Sequence, residues 1–215
     1  MQTSAGPSGS RLDKRKARTR SALITAAQGF LAQQNDVGTV SIQELTDAAD
    51  VGFGTFYNHF RNKTELFHEA IEETFEQLGA NLDALLVGVE DPVVVFSHSL
   101  RLTGRLRESH RQMADIVIHA GPALLTSERG LAPRGRRDLA ACKASGRFDF
   151  DDVDIAMVTV AGALLGVLHL ADVRPGLDVA RAVDQMTLNV LRMFGVSKSD
   201  AVALVALPLP VPATR

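Results

Sequence analysis

The stretch that decides the fold is Ser41-Ile42-Gln43-Glu44-Leu45-Thr46-Asp47-Ala48-Ala49-Asp50-Val51-Gly52-Phe53-Gly54-Thr55-Phe56-Tyr57-Asn58-His59-Phe60-Arg61-Asn62-Lys63. It opens on a capping box: the Ser41 hydroxyl is placed to accept the Glu44 amide, and the Glu44 carboxylate to reach back to Ser41. Val40 and Leu45 flank it as a hydrophobic staple. The helix begun at Ser41 runs to about Ala49, Asp50-Val51-Gly52 breaks the pattern, and a second short helix follows over roughly 53–60. Asn62 caps a third, with Glu65 three residues on, running from Lys63 to about Val87. Upstream, Ala17, Ala22, Leu23, Ala26, Ala27, Phe30 and Leu31 recur at helical spacing from Asp13 to about Gln34. Asn35-Asp36-Val37-Gly38 ends that helix.

Two short helices joined by a tight turn and braced by a longer one make a helix-turn-helix. The first lies across a DNA backbone and aims the second into the major groove. The groove-facing helix needs small or hydroxylated residues where the backbones approach, and Gly52-Phe53-Gly54-Thr55 supplies them. Tyr57, His59 and Lys63 follow as phosphate donors, while Phe56 and Phe60 point the other way and anchor the helix.

Ser41 to Leu45, Ala48-Ala49-Asp50-Val51, Gly54 to Lys63 and Glu65-Leu66 together resemble the TetR/AcrR family of bacterial transcription regulators. The Thr-Phe-Tyr-x-His-Phe-x-x-Lys core at this distance from a capping box is the specific part, and residues 13–68 match well. Two positions depart from the pattern. The family usually has glycine where Asp50 stands, in a turn that often takes the left-handed conformation, which Asp tolerates better than most residues. A small polar residue is common at Gly52, where glycine forfeits the side-chain cap.

The resemblance implies roles for individual residues. Ser41, Tyr57, His59 and Lys63 would hold phosphates, Gly52 would let the backbone approach, and Phe53, Gly54 and Thr55 would face bases. Arg15, Arg18 and Arg20 could touch backbone or minor groove. Phosphate contacts would supply affinity and salt dependence, base contacts specificity. The partners implied are a palindromic double-stranded DNA operator, a small-molecule effector and a second copy of the chain, a homodimeric repressor being the expected form. The alternative is a helical small-molecule-binding or scaffold protein without sequence-specific DNA binding.

The rest of the chain reads as all-α, without a convincing strand. Residues 1–12 are expected as a disordered arm, 13–62 as the DNA-binding domain, 63–207 as a helical effector-binding and dimerisation domain, and 208–215 as a flexible tail. Asp91-Pro92 reads as a cap with proline at the first helical position, opening a helix to about Ser109. Others cover about 111–120 and 133–146, an apolar one is capped by Asp151 or Asp152 and ends near Asp172, another covers 177–194, and Ser197 with Asp200 caps a short last one. Phe96, His98, Leu100, Met113, Val117, Met157, Ala161 and Leu164 are candidate pocket residues, with His98 able to orient a ligand in an apolar site. A lipophilic effector with one polar handle suits them. Gly162 and Gly166 lie on one face and permit close helix approach; with Met186 and Val190 they are the candidate dimer interface.

Composition narrows the class. The 215 residues are 46% hydrophobic and 22% charged, as in a globular protein. Net charge is only −2, but its distribution is uneven. Residues 11–20 carry six basic side chains against Asp13 alone, residues 64–100 carry eight acids and no Lys or Arg, and residues 101–150 are basic again. A basic arm beside an acidic body suits one surface that meets a polyanion. The single cysteine, Cys142, excludes an intrachain disulfide. With no GxSxG, HExxH or phosphate loop, no enzyme is expected, and neither metal nor cofactor. Glu65-x-x-His68 matches half of a di-iron motif, but a bundle needs two copies. Ile155 to Ala171 is uncharged over 17 residues, short of the roughly 20 that span a bilayer, so a buried helix and no membrane are expected. No signal peptide precedes the basic arm, and a cytoplasmic location follows as the expectation.

Overall fold

The computed structural model describes residues 11–33, 37–121 and 123–211. These form helices alone, with no strand among the described residues. The chain divides into two compact units, Met1–Ala70 and Ile71–Arg215. The division falls inside a helix, α4, rather than at its first residue. The arm over residues 1–10, part of the Asn35-Asp36-Val37-Gly38 terminator and the last four residues lie outside the described residues.

The first unit holds α1 (Arg11–Ala32), α2 (Ile42–Ala48), α3 (Phe53–Phe56) and the start of α4 (Lys63–Leu85). α1 begins two residues before its apolar spacing does, because Arg and Lys are good helix formers and Asp13 sits favourably in the first turn. It buries Leu23, Ile24, Ala27 and Leu31. Leu45, Phe56, Phe60, Leu66 and Phe67 are buried in the same unit. The Ser41 capping box is complete in both directions. Asn62 Oδ1 accepts the Glu65 amide at 2.9 Å, as expected of the α4 cap. Asp50 has φ +53°, the only positive φ on a non-glycine among the described residues. α3 stops at Phe56 instead of continuing to Phe60. Beyond it Asn58 N–H bonds to Thr55 and His59 N–H to Phe56, i to i+3 turns that tighten the chain.

The second unit contains α5 (Pro92–Gly104), α6 (Leu106–Ser109), α7 (Arg111–Ala120), α8 (Ala123–Thr126), α9 (Leu131–Ala144), α10 (Val153–Val173), α11 (Val179–Met193) and α12 (Lys198–Ala206). α5 packs on α9, α10 and α11, and α10 on α9 and α11. Caps fall where local sequence placed them: Asp91 accepts from Val93 N, Asp152 from Asp154 N and Ile155 N, and Ser197 from Asp200 N. The single helix expected to Ser109 is broken after Gly104. α8 was not anticipated, and α9 starts at Leu131, ahead of Pro133. Its start is fixed by Gly130, at φ +73°, where an added Cβ would lie 2.3 Å from the Phe75 carbonyl carbon. No residue but glycine fits between these backbones.

Candidate nucleic-acid interface and ligand cavity

The turn between α2 and α3 sets the reading surface. Gly52 caps α3 without a side-chain bond, as its lack of a side chain dictates. Phe53, Gly54 and Tyr57 are exposed, whereas Phe56 and Phe60 are buried and anchor the segment. The Tyr57 ring stands edge-on to Phe53 at 6.0 Å and to Phe56 at 5.3 Å, so its direction is fixed by packing. Nothing lies within 4 Å of a Cβ added at Gly54, leaving its backbone open to close approach. Thr55 is half-buried beside it.

Other candidates have internal partners. The Ser41 hydroxyl donates to Glu44 Oε2 at 2.7 Å and accepts the Glu44 amide at 3.2 Å; that hydroxyl, and the Ser41 amide donating to the same Oε2 at 2.8 Å, hold the Glu44 carboxyl below its usual range. Lys63 Nζ donates to the carbonyls of Gly38 at 2.5 Å and Val40 at 3.0 Å, tying down the loop ahead of α2. Arg20 pairs with Glu69 at 3.2 Å and lies 5.1 Å from the Phe60 ring centre. Arg15 and Arg18 are exposed. His59 is half-buried with Nδ1 unpartnered, and burial, then the charges of Lys16 and Arg20, push its pKa down. Its imidazole is therefore neutral near pH 7, with a ring N–H still able to donate.

The second unit contains a partly open cavity of about 80 Å³ among α4, α5, α8, α9 and α10. Phe96, Leu100, Met157, Ala161 and Leu164 line it, five of the eight residues expected there. His98, Met113 and Val117 do not. Val117 is fully buried in the core, and His98 is buried with both ring nitrogens unpartnered, its pKa lowered by burial and by Arg101. The wall also contains Asp83, Arg134, Arg137 and Asp138, which sequence reasoning missed. Their charge reads as solvated surface. The available signal was register: Leu131, Gly135, Asp138, Leu139 and Cys142 share one helical face.

These side chains form one network. Arg134 donates from Nε to Asp83 Oδ2 at 2.6 Å and grips Glu76 through both terminal nitrogens at 3.0 and 2.9 Å. It lies across Gly79, where an added Cβ would come within 2.7 Å of the guanidinium. These bonds lower the Glu76 carboxyl. Burial raises the Asp83 carboxyl, but hydrogen bonds from Arg134 and Arg137 outweigh it and hold it low. Asp138, 8% exposed, is pushed up by burial against the pull of Arg137.

Cys142 sits in the core of the second unit. It is fully buried, its thiol donates to the Pro92 carbonyl at 3.3 Å, and burial pushes its pKa up to about 12. Glu65 is held by the Arg61 amide and guanidinium.

Within the chain α10 is buried on one face only. Ala156, Met157, Val160, Ala161, Leu164 and Leu168 point inward. Ile155, Val158, Gly162, Gly166, Leu170 and Val173 form an outward apolar stripe at helical spacing. At 21 residues it is the one described helix long and apolar enough to cross a membrane by length and composition. A Cβ added at Gly162 or Gly166 would meet nothing within 4 Å. Met186 and Val190, expected beside these glycines at an interface, are instead in the protomer's own core. The amphipathic face of α11 turns inward, leaving Gln185, Asn189 and Met193 exposed.

Two family models match the chain: bacterial regulatory proteins of the tetR family over residues 25–70, and the tetracyclin repressor-like C-terminal domain over residues 91–206. The probable acrEF/envCD operon repressor of Escherichia coli K12 is 28% identical over 197 residues, covering 82% of this chain and 87% of that protein. The crystal structure of RolR with its ligand resorcinol is 34% identical, with a TM-score of 0.73, covering 93% of this chain and 98% of the other. SmeT, repressor of the Stenotrophomonas maltophilia multidrug efflux pump SmeDEF, shares the fold at 21% identity and a TM-score of 0.68, covering 91% of this chain and all of its own. With both halves matched and the reading helix, its capping box and its glycine-equivalent turn in place, the chain belongs to the tetR family of bacterial DNA-binding transcription regulators.

Proposed function

We propose that the protein is a homodimeric repressor that holds a palindromic operator and leaves it when a small, mainly lipophilic effector with a polar handle enters the cavity of the second unit. The observation that carries this reading is the combination of an exposed Phe53-Gly54 edge, with half-buried Thr55 beside it, and a largely apolar cavity on the same chain. Ser41, Tyr57, His59, Lys63, Arg15, Arg18 and Arg20 are assigned to phosphates and Gly52, Phe53, Gly54 and Thr55 to the groove. Resorcinol in the related RolR supports an effector of one ring with hydroxyl groups. The outward stripe on α10 supports pairing with a second copy, since apolar side chains and glycines aligned on an open face gain by burial. α4 begins at the reading unit and ends at the cavity wall, which supports it as the element an effector displaces. An effector that binds the DNA-free arrangement better must weaken DNA binding by the same differential affinity. The chain would act in the cytoplasm without a cofactor.

The test is selection of DNA from random oligonucleotides, followed by titration of the bound complex with resorcinol. An enriched palindrome, released by resorcinol, is the expected result. Retention of DNA without sequence preference, or none at all, would leave a helical ligand-binding protein instead.

A further inference from the structure

The reading segment carries little polar chemistry. Residues 52–57 include no Arg, Lys, Asn, Gln, Asp or Glu, the side chains that make the main hydrogen-bonded contacts to base edges. Phe56 is fully buried and Thr55 half-buried, so Phe53, 48% exposed, and Tyr57, 55% exposed, are the side chains that project. Phe53 has glycine on both sides. A Cβ at Gly54 would meet nothing within 4 Å, and one at Gly52 only the Thr55 hydroxyl oxygen at 3.6 Å. Neither chain neighbour has a side chain to hold DNA away from the ring. Tyr57 stands edge-on to Phe53 and to buried Phe56, which ties the exposed ring to the core. A phenyl ring has no conventional hydrogen bond to offer. In the major groove every base presents donors or acceptors, and thymine adds one apolar group, its C5 methyl. Against a polar edge the ring would displace water without replacing its hydrogen bonds. Against the methyl it buries apolar surface on both partners, which favours contact.

We propose that Phe53 selects thymine at one position of each operator half-site by packing on the C5 methyl, with Tyr57 positioning its ring. The assignment rests on reading the chain as a regulator that binds a palindromic operator, and adds a selecting residue and the base it reads. At this position the methyl is recognised and the hydrogen-bonding pattern of the pair is not. 5-Methylcytosine therefore serves in place of thymine, and uracil does not.

The test uses the full chain and the duplexes it enriches from random oligonucleotides. Thymines of the enriched palindrome are replaced, one symmetric pair at a time, by deoxyuridine, which removes the methyl and keeps every hydrogen-bonding group. At one such pair the change is expected to weaken binding about fifteenfold, about fourfold for each lost methyl contact. With 5-methylcytosine·guanine at that pair, binding should be about fifteenfold tighter than with plain cytosine·guanine. Phe53→Ala should bind the thymine and uracil duplexes alike. A ring that only props the turn would, when removed, weaken both duplexes equally and leave their ratio unchanged, which overturns the proposal. Phe53→Gln, a second variant suited to a half-exposed helical position, should also lose the methyl effect, and decides if the alanine chain does not fold. Enrichment of a palindrome with no thymine whose methyl effect depends on Phe53 overturns this proposal alone. Enrichment of no duplex at all overturns the regulator reading and this proposal together.

Discussion

Lys63, the first residue of α4, donates its ammonium hydrogens to the carbonyls of Gly38 and Val40, the residues leading into α2. One side chain thus fixes the approach to the reading turn while standing at the surface assigned to DNA. The sequence assigns it to phosphate alone and leaves stability untouched. With the tether, Lys63→Ala is expected to lower stability by about 1 kcal/mol, the net value of a partly exposed charged hydrogen bond, a loss of about 2–4 °C in Tm. If Lys63 also neutralises a phosphate in each subunit, the log–log salt slope becomes shallower by about 2. Thermal melts and salt titrations separate the two effects. A melt shift with an unchanged salt slope would confine Lys63 to the tether.

Asp50 holds φ +53° at the turn after α2. Asp50→Gly is expected to keep or raise stability by up to about 1 kcal/mol, because glycine has no Cβ penalty there. Asp50→Val should lose about 1–2 kcal/mol, since β-branched residues resist the left-handed region. Urea midpoints measure both. A valine variant as stable as the glycine variant would show that the turn relaxes.

What was legible in the sequence was local. Ser41, Asn62, Asp91, Asp152 and Ser197 declare their helices because a cap bonds within three residues of itself. Asp50 and the buried Phe56 and Phe60 were readable for the same reason. The break after Gly104 and the start of α9 were not, because distant contacts decide them: an added Cβ at Gly104 would lie 2.7 Å from Val183, and Gly130 docks on Phe75. Composition shows the block 101–150 as basic without saying what it meets. Much of it neutralises the acidic block: Arg134 meets Glu76 and Asp83, and Arg147 meets Asp91 at 2.6 Å. α10 is apolar on every side, so periodicity could not say which face is buried.

Gly130→Ala is expected to cost about 2–4 kcal/mol, since its Cβ would collide with backbone and not with a flexible side chain. Gly79→Ala should cost less, because its neighbour is the movable end of Arg134. Denaturation midpoints rank the two. Equal stability would mean that the α4–α9 contact shifts as a unit.

The Arg134 network also gives the acid limb of the stability curve a sign. Glu76 and Asp83 have lowered carboxyl pKa values in the folded chain. Their contribution is present above the unfolded carboxylate range, about pH 4, and is lost as pH falls through their folded values. Asp138, raised by burial, acts oppositely and loses its contribution as pH rises through its folded value. Arg134→Gln should therefore flatten the fall in stability below about pH 4. Tm measured against pH for both chains checks this. Parallel curves would place the acid sensitivity elsewhere.

The α10 stripe separates interface from core. Gly162 and Gly166 are exposed, and a side chain on either meets nothing in its own protomer. Replacing both by leucine should leave the fold and its helicity intact, while forcing apart two α10 helices that pack through these glycines. Met186→Ala tests the opposite case, because Met186 is buried in the protomer. It should cost about 2–5 kcal/mol whether or not the chain is paired. Light scattering at micromolar concentration should find the unmodified chain dimeric and the double leucine variant monomeric with unchanged circular dichroism. Operator affinity should fall with it, since a palindrome needs two reading units held at a fixed spacing. A double variant that stays dimeric would move the interface off this face of α10, and the exposed stripe would need a different occupant.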